Sequence, residues 1–333
     1  MSTSTDNSIE GKVDFKVGNE TYQTWYKIFG NIKTSKHRPV VAVHGGPGMT
    51  HHYMLPHKAL FLQAGYGLSS CLTRVMANFL PIIVISIPVI FYDQIGNGQS
   101  SHCPGVPKEF WTPELFMDEL DNLLKALDVY DNFDLLGQSW GGMLGGQYAA
   151  SRTPRGLKRL IIANSPASIE LVSRGTDHLL NQFPEDFVQM IRKHEAEGTT
   201  SSEEYQAGCM KFYTKHICTL NPWPEELMAS FAAVGQNPTV YHTMLGPSEF
   251  NVVGSLKGWD IVPILHKIPY PTLLISAPLD EIQEVACLPF FTQIPKVKWV
   301  ELQNSTHLAM FEEPKRYFKV ILDFLNETEA VVQ

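Results

Sequence analysis

Three side chains in this sequence have the types and the order needed for nucleophilic acyl transfer: Ser139, Asp280 and His307. Ser139 sits in Gly137-Gln138-Ser139-Trp140-Gly141, a G-x-S-x-G segment. A serine hydroxyl is a weak nucleophile unless a base takes its proton, and the base needs an acid to orient it. Asp280 follows an apolar run, Thr272 to Ser276, and His307 follows another, Val297 to Leu302, before the last amphipathic stretch. The chain order serine, acid, histidine is the one used by strand–turn–helix nucleophile elbows. Of the twelve histidines, His307 alone combines that order with that context; Glu281, beside Asp280, is the alternative for the acid.

An oxyanion also needs two preorganised backbone donors. Trp140, directly after the serine, offers one N–H. His44-Gly45-Gly46-Pro47-Gly48, after the apolar run Pro39 to Val43, offers the other from Gly46.

These groups need elements to carry them. Pro39 to Val43, Val89 to Tyr92, Phe133 to Leu136, Leu160 to Ala163, Thr272 to Ser276 and Val297 to Leu302 read as strands. Runs that are apolar throughout and stop at glycine-rich loops suit a mostly parallel sheet covered by helices on both faces, the α/β class. Val13, Phe15 and Val17 alternate with polar residues, and Gly18-Asn19 then turns the chain into Thr21 to Phe29, an antiparallel edge hairpin. Thr112-Pro113-Glu114 opens a helix with a capping residue, proline at its first position and an early acid. Leu115, Phe116, Leu120, Leu123, Leu124 and Leu127 continue it at helical spacing. Gly142 to Ala150 and Pro314 to Phe324 are further helices. Residues 168–253 are helical and aromatic without strong strand runs, so we expect an inserted helical cap between core parts 1–167 and 254–333.

Bulk properties exclude other classes. The net charge is −8 and the lysines and arginines are scattered, which recruits neither nucleic acid nor an anionic membrane. Met1 to Lys12 is polar and has no signal-peptide core, and the greasiest stretch, Phe79 to Phe91, is short and broken by prolines. Five cysteines, odd in number and widely spaced, suit a reducing compartment. Asn304-Ser305-Thr306 is a glycosylation sequon, but a glycan there would crowd His307. We expect a cytoplasmic protein acting on a small peptide or amino-acid amide, its oligomeric state open.

His44 to Gly48, Asp93-Gln94-x-Gly96-x-Gly98-x-Ser100, Gly137 to Gly142 and Asn304-Ser305-x-His307 together resemble the proline iminopeptidase family and its amino-acid amidase relatives. The resemblance covers nearly the whole chain. It implies an α/β-hydrolase core with a helical cap, no metal, no organic cofactor, and removal of an N-terminal proline or other small residue from peptides or amides. It also implies that Glu249, in Gly246-Pro247-Ser248-Glu249-Phe250, binds the substrate's α-ammonium. Two departures stand out. Asn221, before Pro222-Trp223-Pro224, occupies a place where the family has a second acid. Residues 65–86 form a segment of about twenty extra residues, either a surface insertion or a retained intron that transcript sequencing would reveal. The alternatives to an aminopeptidase are an amino-acid amidase or small ester or amide tailoring hydrolase, and a catalytically silent binding protein on the same fold. Epoxide and haloalkane hydrolysis are disfavoured, since those relatives use an aspartate nucleophile.

Overall fold

The computed structural model describes residues 8–62 and 86–330. The extra segment at 65–86 therefore lies, apart from Ser86, outside the described residues.

The first two strands, β1 (Ser8–Val17) and β2 (Glu20–Phe29), pair antiparallel across the two-residue turn at Gly18-Asn19. β3 (Val40–Val43) and β4 (Val89–Tyr92) are short and wholly buried. β5 (Phe133–Gln138), β6 (Leu157–Ala163), β7 (Thr272–Ser276) and β8 (Val297–Glu301) complete one eight-stranded sheet in the order β1-β2-β4-β3-β5-β6-β7-β8. β2 meets both neighbours antiparallel, and every pairing from β4 to β8 is parallel.

Alternation along each central strand divides the core in two. Val41, Val43, Ile90, Tyr92, Leu135, Leu160 and Ile162 pack on one face; Val40, Ala42, Val89, Phe91, Leu136 and Ile161 pack on the other. A strand buried on both faces gains nothing from polar alternation, so β3 and β4 are apolar at every position. Helices α1 (Pro113–Ala126) and α2 (Trp140–Ser151) cover the first face, and the C-terminal helix Pro314–Ala330 covers the second. α1 starts as its sequence dictates: the Thr112 hydroxyl accepts the Leu115 N–H at 3.2 Å, with Pro113 at the first turn.

Five helices join β6 to β7: α3 (Ile169–Leu180), α4 (Glu185–Glu197), α5 (Glu203–His216), α6 (Glu225–Gln236) and α7 (Thr239–Met244). Phe187, Tyr205, Phe212 and Leu227 from this segment are buried in the same hydrophobic cluster as the C-terminal helix. No helix among the described residues is long and apolar enough to cross a membrane.

Candidate active site

Because β3, β5, β7 and β8 are parallel, their carboxyl ends share one edge of the sheet. Ligand sites in such sheets form at that edge. His44 to Gly48 leaves β3, Ser139 leaves β5, Asp280 lies four residues beyond β7, and His307 lies in the loop after β8.

Ser139 has φ 55° and ψ −126°, a conformation that costs an L-residue energy and holds only where packing enforces it. The packing here is backbone on backbone. A Cβ added to Gly137 would come within 2.1 Å of the Gly141 carbonyl oxygen, and one added to Gly141 within 2.1 Å of the Val43 carbonyl oxygen. The two glycines of G-x-S-x-G are therefore demanded by contact. The same tight turn starts α2 at Trp140, so the positive end of the helix dipole points at the serine.

The loop after β3 lies directly against the nucleophile: a Cβ on Gly45 would be 2.8 Å from that of Ser139. The N–H groups of Gly46 and Trp140 have no acceptor among the described residues. Gln94 ties loop and elbow together. Its Oε1 accepts from Trp140 Nε1 at 2.9 Å, its Nε2 donates to the His44 carbonyl at 2.9 Å, and its N–H donates to His44 Nε2 at 3.0 Å. Burial lowers the His44 pKa to about 4 against the opposing pull of Asp93, so the ring is neutral and Nδ1 carries the proton given to the Gly45 carbonyl at 3.0 Å.

His307 Nδ1 and Asp280 Oδ1 are 2.8 Å apart. The other acceptors of Asp280 are taken as well: Asn164 Nδ2 donates to Oδ2 at 2.8 Å, and the Ile282 N–H donates to Oδ1 at 2.9 Å. Burial opposes a charged imidazole, yet the Asp280 charge and hydrogen bond outweigh it, and the His307 pKa is raised above its ordinary value. Glu281 turns the other way. Its Oε1 lies 3.8 Å from His307 Nε2, the nitrogen facing away from Asp280.

Ser139, His307, Gly46, Glu249 and Glu281 all line one cavity of about 450 Å³. A larger hollow of about 600 Å³, lined by Gly30, His37 and Pro88 among others, holds none of these groups.

Comparison with known proteins places this geometry. Residues 38–314 match the family model of the alpha/beta hydrolase fold. The chain is 32% identical to the proline iminopeptidase of Flavobacterium johnsoniae, over 92% of this chain and 94% of that protein. It belongs to the proline iminopeptidase family. A second member, from Saccharolobus solfataricus, is 30% identical over 92% of this chain and 90% of its own length. The crystal structure of the Mycobacterium smegmatis proline iminopeptidase superposes with a TM-score of 0.80 at 34% identity, covering 97% of this chain and all of that one. That of VinJ superposes with 0.83 at 39%, covering 95% and 98%. The protein is thus an enzyme, a hydrolase of the α/β-hydrolase fold.

The structure does not bring position 221 to the cavity. Asn221 is exposed and is not among the cavity-lining residues; the second carboxyl facing the cavity is Glu281. Glu249 accepts the Tyr241 hydroxyl at 2.9 Å, and its N–H donates to the Tyr213 hydroxyl at 3.2 Å. Protein surrounds Glu249 although its side chain opens on the cavity, and burial raises its pKa to about 7 against the Tyr241 bond and the charge of His307. Glu281 is 1% exposed, and its Oε2 has no hydrogen-bond partner among the described residues. Burial, then the charges of Glu249 and Asp280, raise its pKa well above the usual carboxylate range.

Gln94 and Asn164 are positions that reading the sequence alone leaves without a role, and Glu281 was legible only as the alternative to Asp280. For Gln94 the signal was present, since it stands inside Asp93-Gln94-x-Gly96. For Asn164, a polar residue ending an apolar strand was the only hint.

Proposed function

We propose that this enzyme releases an N-terminal residue, proline foremost, from peptides or amides through an acyl-enzyme on Ser139. His307 Nε2 takes the Ser139 proton while Asp280 holds Nδ1–H and the imidazolium that forms. Ser139 Oγ bonds to the carbonyl carbon, and the oxyanion is received by the N–H groups of Gly46 and Trp140 at the start of α2. The C–N bond then breaks as His307 returns its proton to the leaving amine. Water, deprotonated by His307, cleaves the ester to the free amino acid and regenerates Ser139. No metal or organic cofactor enters the scheme.

One observation carries the amino-group specificity: two carboxyls, the half-buried Glu249 and the buried Glu281, face the cavity that holds Ser139 and His307, and one of their oxygens is unpartnered. Burying two acids together is costly unless a cation joins them. A substrate α-ammonium meets that need by charge-assisted hydrogen bonds and limits cleavage to the first residue. Proline as acyl residue is supported by the names of the relatives in Flavobacterium johnsoniae and Saccharolobus solfataricus. We read residues 168–253 as the cap that supplies Glu249, between core parts 1–167 and 254–333. The free, buried thiols of Cys103, Cys209, Cys218 and Cys287 support a reducing compartment, the cytoplasm.

Fluorophosphonate labelling that disappears in Ser139→Ala, with turnover of prolyl-anilide and at least a hundredfold slower turnover of N-acetyl-prolyl-anilide, is the expected result. Equal turnover of the two anilides removes the role given to Glu249 and Glu281.

A further inference from the structure

Part of the cavity must receive what is split off. The apolar part of the cavity lining includes Met210 and Ile217, Leu227, Phe231 and Val234 of α6 and its surroundings, and Leu308. Met210 is 43% exposed, so the apolar surface continues to the mouth. Pockets of this size hold whole small molecules rather than a single amino-acid side chain.

The charge of the cavity is one-sided. Among the described residues that line it there is no lysine or arginine; its acids are Glu249 and Glu281, and its imidazoles are His242 and His307. The nearby cations of α5 are engaged outside: Lys211 Nζ lies 4.8 Å from the Phe187 ring centre, and Lys215 Nζ 4.6 Å from that of Phe183.

A free dipeptide carries its carboxylate about 7 Å from its α-ammonium, since one residue spans roughly 3.6 Å at most. With the ammonium held by the two glutamates, that carboxylate would enter a mostly apolar space whose lining offers it no lysine or arginine, which is costly. Resting on the amino-group reading above, we propose that the substrates are aminoacyl amides whose leaving amine is apolar and bears no carboxylate beside the scissile bond, and that free dipeptides are poor substrates.

The test compares kcat/KM of the full chain for Pro-Phe amide and free Pro-Phe at low ionic strength, with prolyl-anilide and N-acetyl-prolyl-anilide alongside. We expect the amide to exceed the free dipeptide at least tenfold. Met210→Lys, at the exposed rim, narrows that gap several-fold by raising turnover of the free dipeptide. Free Pro-Phe turned over as well as its amide overturns this inference while the anilide pair still separates, which keeps the amino-group reading intact. Failure to cleave the amide when prolyl-anilide is cleaved also overturns it. Equal turnover of the two anilides overturns the underlying reading, and this one falls with it.

Discussion

Glu281→Gln separates the two halves of the argument, because it should make the protein more stable and less active at once. The amide keeps the shape of the carboxyl and removes its proton equilibrium. Burial and the charges of Glu249 and Asp280 hold the Glu281 pKa well above its unfolded value. A carboxyl with a raised folded pKa binds its proton more tightly in the folded state. Stability is therefore lost as pH rises from the unfolded value, about 4.3, towards the folded one. Glutamine has no proton to release, so its advantage is absent near pH 4 and grows above it. A buried polar group without a partner costs about 1–3 kcal/mol. Glutamine keeps the need for a partner, so only the charge contribution is recovered. We expect about 1 kcal/mol at pH 8, or ~2 °C in melting midpoint. Activity moves the other way. A hydrogen bond to a charged group contributes roughly 1.5–3 kcal/mol, so kcat/KM for prolyl-anilide should fall by about 10- to 150-fold, mainly through KM. Melting curves at pH 5 and pH 8 and initial rates on the free and acetylated anilides measure both effects. A variant with unchanged kcat/KM on prolyl-anilide refutes the ammonium site. A variant less stable than the parent at pH 8 refutes the account of the buried charge.

Three further outcomes follow from the same geometry. In the parent enzyme the acid limb of kcat should have its midpoint above pH 6.5, because His307 must be neutral to act and its pKa is raised; Asp280→Asn should shift that limb to lower pH and cut kcat by roughly 10³–10⁴. An Asn variant with an unshifted limb would count against Asp280 as the source of the raised value. Gly141→Ala places a Cβ 2.1 Å from the Val43 carbonyl oxygen, so it should destabilise by several kcal/mol, read as a lost or strongly lowered melting transition. Gln94→Ala leaves Trp140 Nε1 and the His44 carbonyl without their partner and loosens the join between elbow and loop; stability should fall by about 1–3 kcal/mol, with kcat reduced more than KM is raised.

The central sheet was legible because a strand covered on both faces must be apolar at each position, and Val40–Val43 and Val89–Tyr92 are. The elbow was legible for a steric reason: positions 137 and 141 touch backbone and admit no other residue. The partnering of His307 was less so. Asp280 and Glu281 are adjacent acids after the same strand, and sequence order accepts either as the orienting group. What separates them is side-chain direction, fixed by contacts that span the chain. Asn164, 116 residues away from Asp280, donates to Oδ2 and leaves Oδ1 for His307 Nδ1. The buried acid of α1 was hidden in the same way. Glu119 reads as one more helix-surface charge beside Asp118. It is buried, accepts from the Thr24 hydroxyl at 2.6 Å and the Ile95 N–H at 2.8 Å, and is pushed up to about 8 by burial.

The adjacency that made Asp280 and Glu281 ambiguous is also what makes them useful together. One residue's step along the loop sends two carboxyls to opposite nitrogens of the same imidazole. Asp280 spends its oxygens on His307, Asn164 and Ile282, so it is satisfied before any substrate arrives. Glu281 keeps an oxygen unpartnered and leans on Glu249, whose pKa of about 7 leaves it poised to lose its proton near neutrality. In the proposed scheme, a substrate ammonium entering between these carboxyls would offset their desolvation cost beside the base that acts on Ser139. The short loop after β7 thus carries both the acid that orients His307 and, in the proposed scheme, one of the two carboxyls that with Glu249 would bind the amino group, so asparagine at 221 need not abolish amino-group recognition.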